Sequence, residues 1–96
     1  MEKINLRLDD GSTIGVEPIA VCGPLFVHFA LFNSHTYSIS HITTGRHVGA
    51  REHLATFDCR RCCIACAEEL SHLDWDNFKS LKVQIIAIIE KWKEGI

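Results

Sequence analysis

Ile4, Leu6 and Leu8 alternate with Asn5 and Arg7, the period-two pattern of a strand with one buried face. Asp9-Asp10-Gly11 follows. Gly11 can take the positive φ of a tight turn, and Thr13, Ile14 and Val16 supply the return strand of a β-hairpin. Pro18 and the Cys22-Gly23-Pro24 step read as a connection, because proline donates no ladder hydrogen bond and biases its predecessor away from helix. From Leu25 to Phe32 almost every position is apolar, with Leu25, Val27, Phe29 and Leu31 on one face and Phe26, His28, Ala30 and Phe32 on the other. This is the pattern of a strand covered on both sides. Asn33-Ser34 has turn chemistry. Thr36 to Ile42 then predicts a partner strand, with Tyr37 and Ile39 on one face and Ser38 and Ser40 on the other, closed by Thr43-Thr44-Gly45.

Beyond residue 55 the apolar period lengthens. With Thr56 or Asp58 as cap, Cys59, Cys62, Cys63, Cys66, Leu70 and Leu73 recur at spacings of three and four, which predicts an amphipathic helix. Asp74 or Asp76 can cap a second helix, whose stripe is Phe78, Leu81, Ile85, Ile88, Ile89 and Trp92, ending at Gly95. The expected fold is α+β, a single domain over residues 1–96: an antiparallel sheet of four to five strands followed by two helices packed on one face. The helix stripes would close a core with Leu6, Leu8, Phe29 and Leu31. Helices cover only one face of a strand that is apolar on both, and Val83 and Ile86 project off the second stripe. A homodimer through the uncovered face or the second helix is therefore expected.

Composition narrows the function classes. The chain has 96 residues, 47% hydrophobic and 23% charged, an ordinary globular balance that excludes a disordered or collagen-like chain. Ten Lys and Arg against twelve Asp and Glu leave a formal charge of -2, which argues against a strongly basic nucleic-acid binder. Five cysteines, an odd number, with no apolar leader at the start, point to reduced thiols in the cytoplasm. The longest weakly polar run, Ile19 to Phe32, is too short for a membrane span and carries Gly23, Pro24 and His28. Pro18 to Gly45 contains no Asp, Glu, Lys or Arg, so that stretch is expected to be buried.

Cys59-Arg-Arg-Cys62-Cys63-Ile-Ala-Cys66 holds overlapping Cys-x-x-Cys pairs, the building blocks of zinc knuckles. Zinc needs a tetrahedron, however, and usually draws it from two segments, whereas these four thiols lie along one predicted helix. Packing as small buried hydrophobes is the favoured role; a metal completed by a histidine and redox chemistry are the alternatives. Neither metal nor cofactor is expected. His35 and His41 share a strand, and His28 reads as a hydrogen-bonded core or interface histidine. The chain has no Gly-x-Ser-x-Gly, phosphate loop, His-Glu-x-x-His or paired-carboxylate pattern, and the expectation is that it is not an enzyme.

Charge placement carries more information. Arg46, Arg51, Arg60 and Arg61 outnumber Glu52 and Asp58 between Gly45 and Arg61, whereas Glu68, Glu69, Asp74 and Asp76 stand without a Lys or Arg between Ala67 and Asn77. Arginines at the start of a helix and glutamates near its end oppose the macrodipole, so helix stability does not account for them. The acidic set can mimic nucleic-acid phosphates toward a partner, and the basic set can contact phosphates directly.

Tyr37-Ser-Ile-Ser-His41-Ile-Thr-Thr-Gly45-Arg-His-Val48-Gly49, with the helix end Ala67-Glu-Glu-Leu70, resembles short proteins of phages and prophages over about a third of the chain. Proteins of this sort carry alanines where the cysteines stand here. The resemblance implies a compact antiparallel sheet followed by helix, encoded by a mobile element. Some phage proteins of this size, the anti-CRISPR proteins among them, inhibit host immunity by binding a surveillance or effector complex. The expected function is thus a non-enzymatic phage-type inhibitor of a host defence nucleoprotein complex, acting in the host cytoplasm through Glu68, Glu69, Asp74 and Asp76. The competing readings are a small nucleic-acid-binding regulator using Arg46, Arg51, Arg60 and Arg61, and a Cys/His zinc module.

Overall fold

The computed structural model describes residues 3–8, 10–30, 33–50 and 53–93, and at 33, 34, 49, 50, 53, 54, 78 and 79 the backbone alone. It is an α+β fold. Strands β1 (Ile4–Arg7) and β2 (Thr13–Val16) form a hairpin with Leu6 opposite Ile14, turned at Gly11 with φ 87°. A four-stranded antiparallel sheet follows in the order β3-β4-β5-β8, from Ala20–Cys22, Leu25–Ala30, Asn33–His41 and Thr56–Phe57. A short hairpin of β6 (Gly49–Ala50) and β7 (His53–Leu54) lies between β5 and β8 in the chain. Helix α1 (Arg60–Leu70), a 3-10 segment (Trp75–Leu81) and helix α2 (Lys82–Lys93) complete the described chain.

Several expectations are corrected by this order. The stretch taken as a connection around Cys22 is strand β3, and Gly23-Pro24, with Gly23 at φ 57°, is the two-residue turn that pairs Cys22 with Leu25. Asn33-Ser34 is not a turn but the start of β5, with Asn33 opposite Ala30 across a register shift. The expected strand end at Leu31 and Phe32 lies outside the described residues, as does the second helix's expected end at Gly95. Thr56 belongs to β8, and the cap of α1 is neither Thr56 nor Asp58 but Cys59, in extended backbone with its sulfur accepting from Cys62 N–H at 3.4 Å. Asp74 is a cap, but of the 3-10 segment, whose backbone kinks at Asn77 before α2 begins.

Both helices lie on one side of the sheet. Helix α1 packs on β3, β4, β5 and β8, while α2 packs on α1 and on the β6–β7 hairpin. Leu25, Val27 and Ile39 of the sheet meet Cys63, Cys66, Ala67 and Leu70 of α1 and Ile85 and Ile89 of α2 in one buried cluster. Each fully buried Leu or Ile there contributes about 1.5–3 kcal/mol by leaving water. Phe29, expected in this core, is 48% exposed. Leu6 is buried, but outside this cluster.

The second face of β4 is also covered within the chain. Phe26 and His28, with Ser38 and Ser40 opposite them on β5, are each 0% exposed. The β1–β2 hairpin is tied to the loop after β5, where Arg7 N–H donates to Gly45 O at 2.8 Å. At Phe26 and His28 the face that suggested a dimer is thus already buried within the single chain.

Candidate functional site

Three of the four acidic candidates are exposed at one end of the fold. Glu68 sits in the last turn of α1, where the Ser71 hydroxyl donates to its carbonyl at 2.6 Å. The chain reverses through Leu73, and the Trp75 indole N–H donates to Leu70 O at 2.8 Å, fixing the start of the 3-10 segment against the end of α1. Asp74 and Asp76 follow this fold-back, both exposed. Asp74 accepts from the backbone N–H of Asp76 at 3.2 Å and from the side-chain amide of Asn77 at 2.9 Å, so it also has a structural task. The same end carries His41, whose ring stacks 5.6 Å from that of Trp75 and sits in the field of Asp76. Burial holds the His41 pKa below its ordinary value, with Asp76 acting the other way. Glu68 in turn reaches Cys22 of β3, whose thiol is pushed up first by burial and then by that carboxylate.

Glu69 differs from the other three. Its Oε1 accepts from Lys91 Nζ at 2.5 Å and from the Trp92 indole N–H at 3.1 Å, tying α1 to α2. The Lys91 hydrogen bond lowers its pKa.

Among the described residues, Arg46 lies apart from Arg60 and Arg61 along β5. Arg60 and Arg61 are exposed in the first turn of α1, which follows β8, and β8 pairs with β5 at Tyr37 and Ser38. Arg46 is exposed just past the other end of β5, where His41 N–H donates to Arg46 O at 2.9 Å. Tyr37 and His41 are four residues apart, about 13 Å of strand. Arg51 lies outside the described residues. Arg60, Arg61, Ile64, Ala65 and Glu68 line a wide, open depression along the outer side of α1.

The four cysteines of α1 divide by depth. Cys63 and Cys66 are 0% exposed, and burial pushes both thiols up, Cys66 to about 12. Cys62 is half-buried and Cys59 exposed. The packing role therefore holds for two of them, with Cys62 at the margin of the same core. Among the described residues no group of three or more His, Cys, Asp or Glu side chains is arranged to hold a metal ion. The N-cap role of Cys59 was missed because cysteine is not among the usual capping residues; the available signal was a Cys-x-x-Cys spacing astride the helix start.

A buried serine–histidine contact completes the inventory. His28 Nδ1 is 2.7 Å from Phe29 O, and Nε2 is 2.8 Å from Ser40 Oγ. A carbonyl only accepts, so Nδ1 carries the proton, and Nε2 of the neutral ring accepts from the Ser40 hydroxyl. The pair resembles a nucleophile and its base, but both residues are sealed from solvent, and the contact serves to satisfy two buried polar groups. No helix among the described residues is long and apolar enough to cross a membrane. In comparisons with known proteins, the chain matches no protein family, no curated protein and no solved structure.

Proposed function

We propose that this chain is a non-enzymatic binding protein of the phage-encoded inhibitor type, which docks by its acidic end on a basic, nucleic-acid-binding surface of a host defence nucleoprotein complex in the host cytoplasm. The observation that carries the reading is the fold-back after α1, which sets the exposed side chains of Glu68, Asp74 and Asp76 at one end of a rigid helix-and-sheet frame. Carboxylates carried on such elements present negative charge to a partner, and complementary charge raises the association rate and rejects acidic partners. Helix α2, with Val83 81% exposed, remains the surface for a homodimer.

The test uses the whole chain against purified RNA-guided surveillance complexes, reading their binding to labelled target DNA. Inhibition by the wild-type protein is expected, with at least a tenfold loss in the double variant Glu68→Lys/Asp76→Lys. These two positions are chosen because Glu69 and Asp74 hold structure. Glu68→Lys also places a cation at the end of α1, where it favours the helix, so unfolding does not account for the loss. Inhibition unchanged by the double variant would remove the acidic end from the mechanism. Direct binding to duplex DNA with steep salt dependence, abolished by Arg60→Glu/Arg61→Glu, would replace this reading with the nucleic-acid-binding one.

A further inference from the structure

Cys59 and Cys62 stand one helical turn apart at the start of α1 with two exposed arginines, Arg60 and Arg61, between them. The Cys59 sulfur accepts the Cys62 backbone N–H at 3.4 Å. Cys59 is exposed and Cys62 half-buried, whereas Cys63 and Cys66 are sealed in the core. We propose that Cys59 and Cys62 form a redox-modification site, closing to a disulfide by exchange with a small-molecule disulfide, with Cys59 the attacking sulfur and Cys62 the resolving one.

Geometry supports the pairing. Residues three apart on a helix lie about 5–6 Å apart between Cβ atoms, and a disulfide needs about 4 Å. Cys59 is the N-cap, with extended φ and ψ of -103° and 119°, so the adjustment falls on a residue whose dihedrals are not helical, although its carbonyl accepts from Cys63 N–H at 3.0 Å. The electrostatics assign the roles. Hydrogen bonds from Cys62 lower the Cys59 pKa, with Arg61 adding to the effect, while the same partnership raises that of Cys62. The more acidic, more exposed sulfur is the one that reacts first. Once Cys59 is tied up in a mixed disulfide it no longer holds the Cys62 thiol in its protonated form, and Cys62 is released to attack.

The reaction balances as two exchanges. The Cys59 thiolate attacks one sulfur of the disulfide RSSR, the S–S bond breaks, and RS⁻ departs and takes up a proton. Cys62, giving its proton to solvent, then attacks the Cys59 sulfur, and the second RS⁻ leaves. Two cysteine thiols are oxidised and one RSSR is reduced to two RSH. The site lies at the opposite end of α1 from Glu68, so it stands independently of the proposed acidic docking end.

The test incubates the folded full-length chain in glutathione buffers from fully reduced to fully oxidised, quenches in acid, alkylates, and maps the products by mass spectrometry. The expected product is a Cys59–Cys62 disulfide, reversed by reduced glutathione, with Cys63 and Cys66 still thiols. Cys62→Ser should instead accumulate glutathione on Cys59. Cys59→Ser, which retains a favoured N-cap residue and so should keep the fold, should form no internal disulfide and react at least tenfold more slowly. Retention of all five thiols in oxidised glutathione, first modification at Cys22, or a bridge to Cys63 or Cys66 would overturn the assignment.

Discussion

His28 on β4 and Ser40 on β5 meet diagonally across the two strands, Nε2 to Oγ at 2.8 Å, while Ser38 stands directly opposite His28, on the side of the sheet away from the helices. Burial lowers the His28 pKa from its ordinary 6.5, the Phe29 carbonyl opposes that shift, and His47, its ring 5.7 Å away, adds to it. The folded chain therefore keeps the ring neutral, while the unfolded chain protonates it below about pH 6.5. A histidine pKa lowered on folding contributes stability above the unfolded value and loses it as pH falls through that value toward the folded one. The urea midpoint is expected to drop between about pH 7.5 and pH 5, with a shallower drop in His28→Gln. His41, also lowered by burial, should account for the remaining slope. A midpoint flat across that range would contradict this account.

Gly45 is required twice over. Its φ is +69°, and a Cβ added there would meet Asn5 O at 2.7 Å and Arg7 N at 3.0 Å. Both atoms belong to the backbone of β1 and cannot move aside like a side chain. The left-handed conformation alone costs a non-glycine residue about 1–2 kcal/mol, and the clash adds to it by pushing β1, which carries the buried Leu6, away from Gly45. Gly45→Ala should lower the melting temperature strongly, whereas Gly11→Ala, with open space around its Cβ, should cost only the conformational part.

How far the sequence foretold this depends on how local each signal was. The first hairpin, the two faces of β4 and the Tyr37/Ile39 against Ser38/Ser40 alternation were readable because period and turn residues lie within a few positions of one another. Strand β3 was hidden because Pro18, Gly23 and Pro24 bracket only three residues, and a two-residue turn looks like a linker until its partner is known. Strands β6 to β8 are two residues each, too short for any period to register. Phe26 and His28 are buried within the single chain, by long-range packing that the pattern does not encode, and a dimer was expected in its place. Of the candidate site, the acidic cluster was legible from charge alone. That Glu69 would be drawn inward by Lys91 and Trp92, residues more than twenty positions away, was not.

The contact from Glu69 to Lys91 and Trp92 is expected to tie the helices only modestly. Both partners of the ion pair keep contact with solvent, with Lys91 and Glu69 side chains 47% and 35% exposed, and pairs of that kind contribute about 0.2–1 kcal/mol. Because the folded pKa of Glu69 is lowered, first by the Lys91 hydrogen bond, the contribution is present above the ordinary carboxylate value and lost as pH falls through the folded one. Glu69→Gln should therefore lie slightly below wild type at neutral pH, with the gap closing as pH falls below the ordinary carboxylate value. A constant gap at both pH values would assign the effect to packing.

Ser38 and Ser40 offer an opposed pair of substitutions on one sheet face. Both are 0% exposed, but Ser40 donates to His28, while Ser38 Oγ has no hydrogen-bond partner among the described residues. Removing one half of a buried hydrogen bond leaves the other half desolvated, at about 1–3 kcal/mol. Ser40→Ala should destabilise by that amount and lower the His28 pKa no further than burial already does. Removing a hydroxyl that has already lost water without gaining a partner relieves a cost, so Ser38→Ala should be neutral or stabilising by about 1 kcal/mol. Chemical denaturation of the two variants at pH 8, where His28 is neutral in both folded and unfolded chains, isolates the hydrogen bond from the proton linkage. Equal losses at the two positions would mean that Ser38 has a partner in solution and that the two hydroxyls are equivalent.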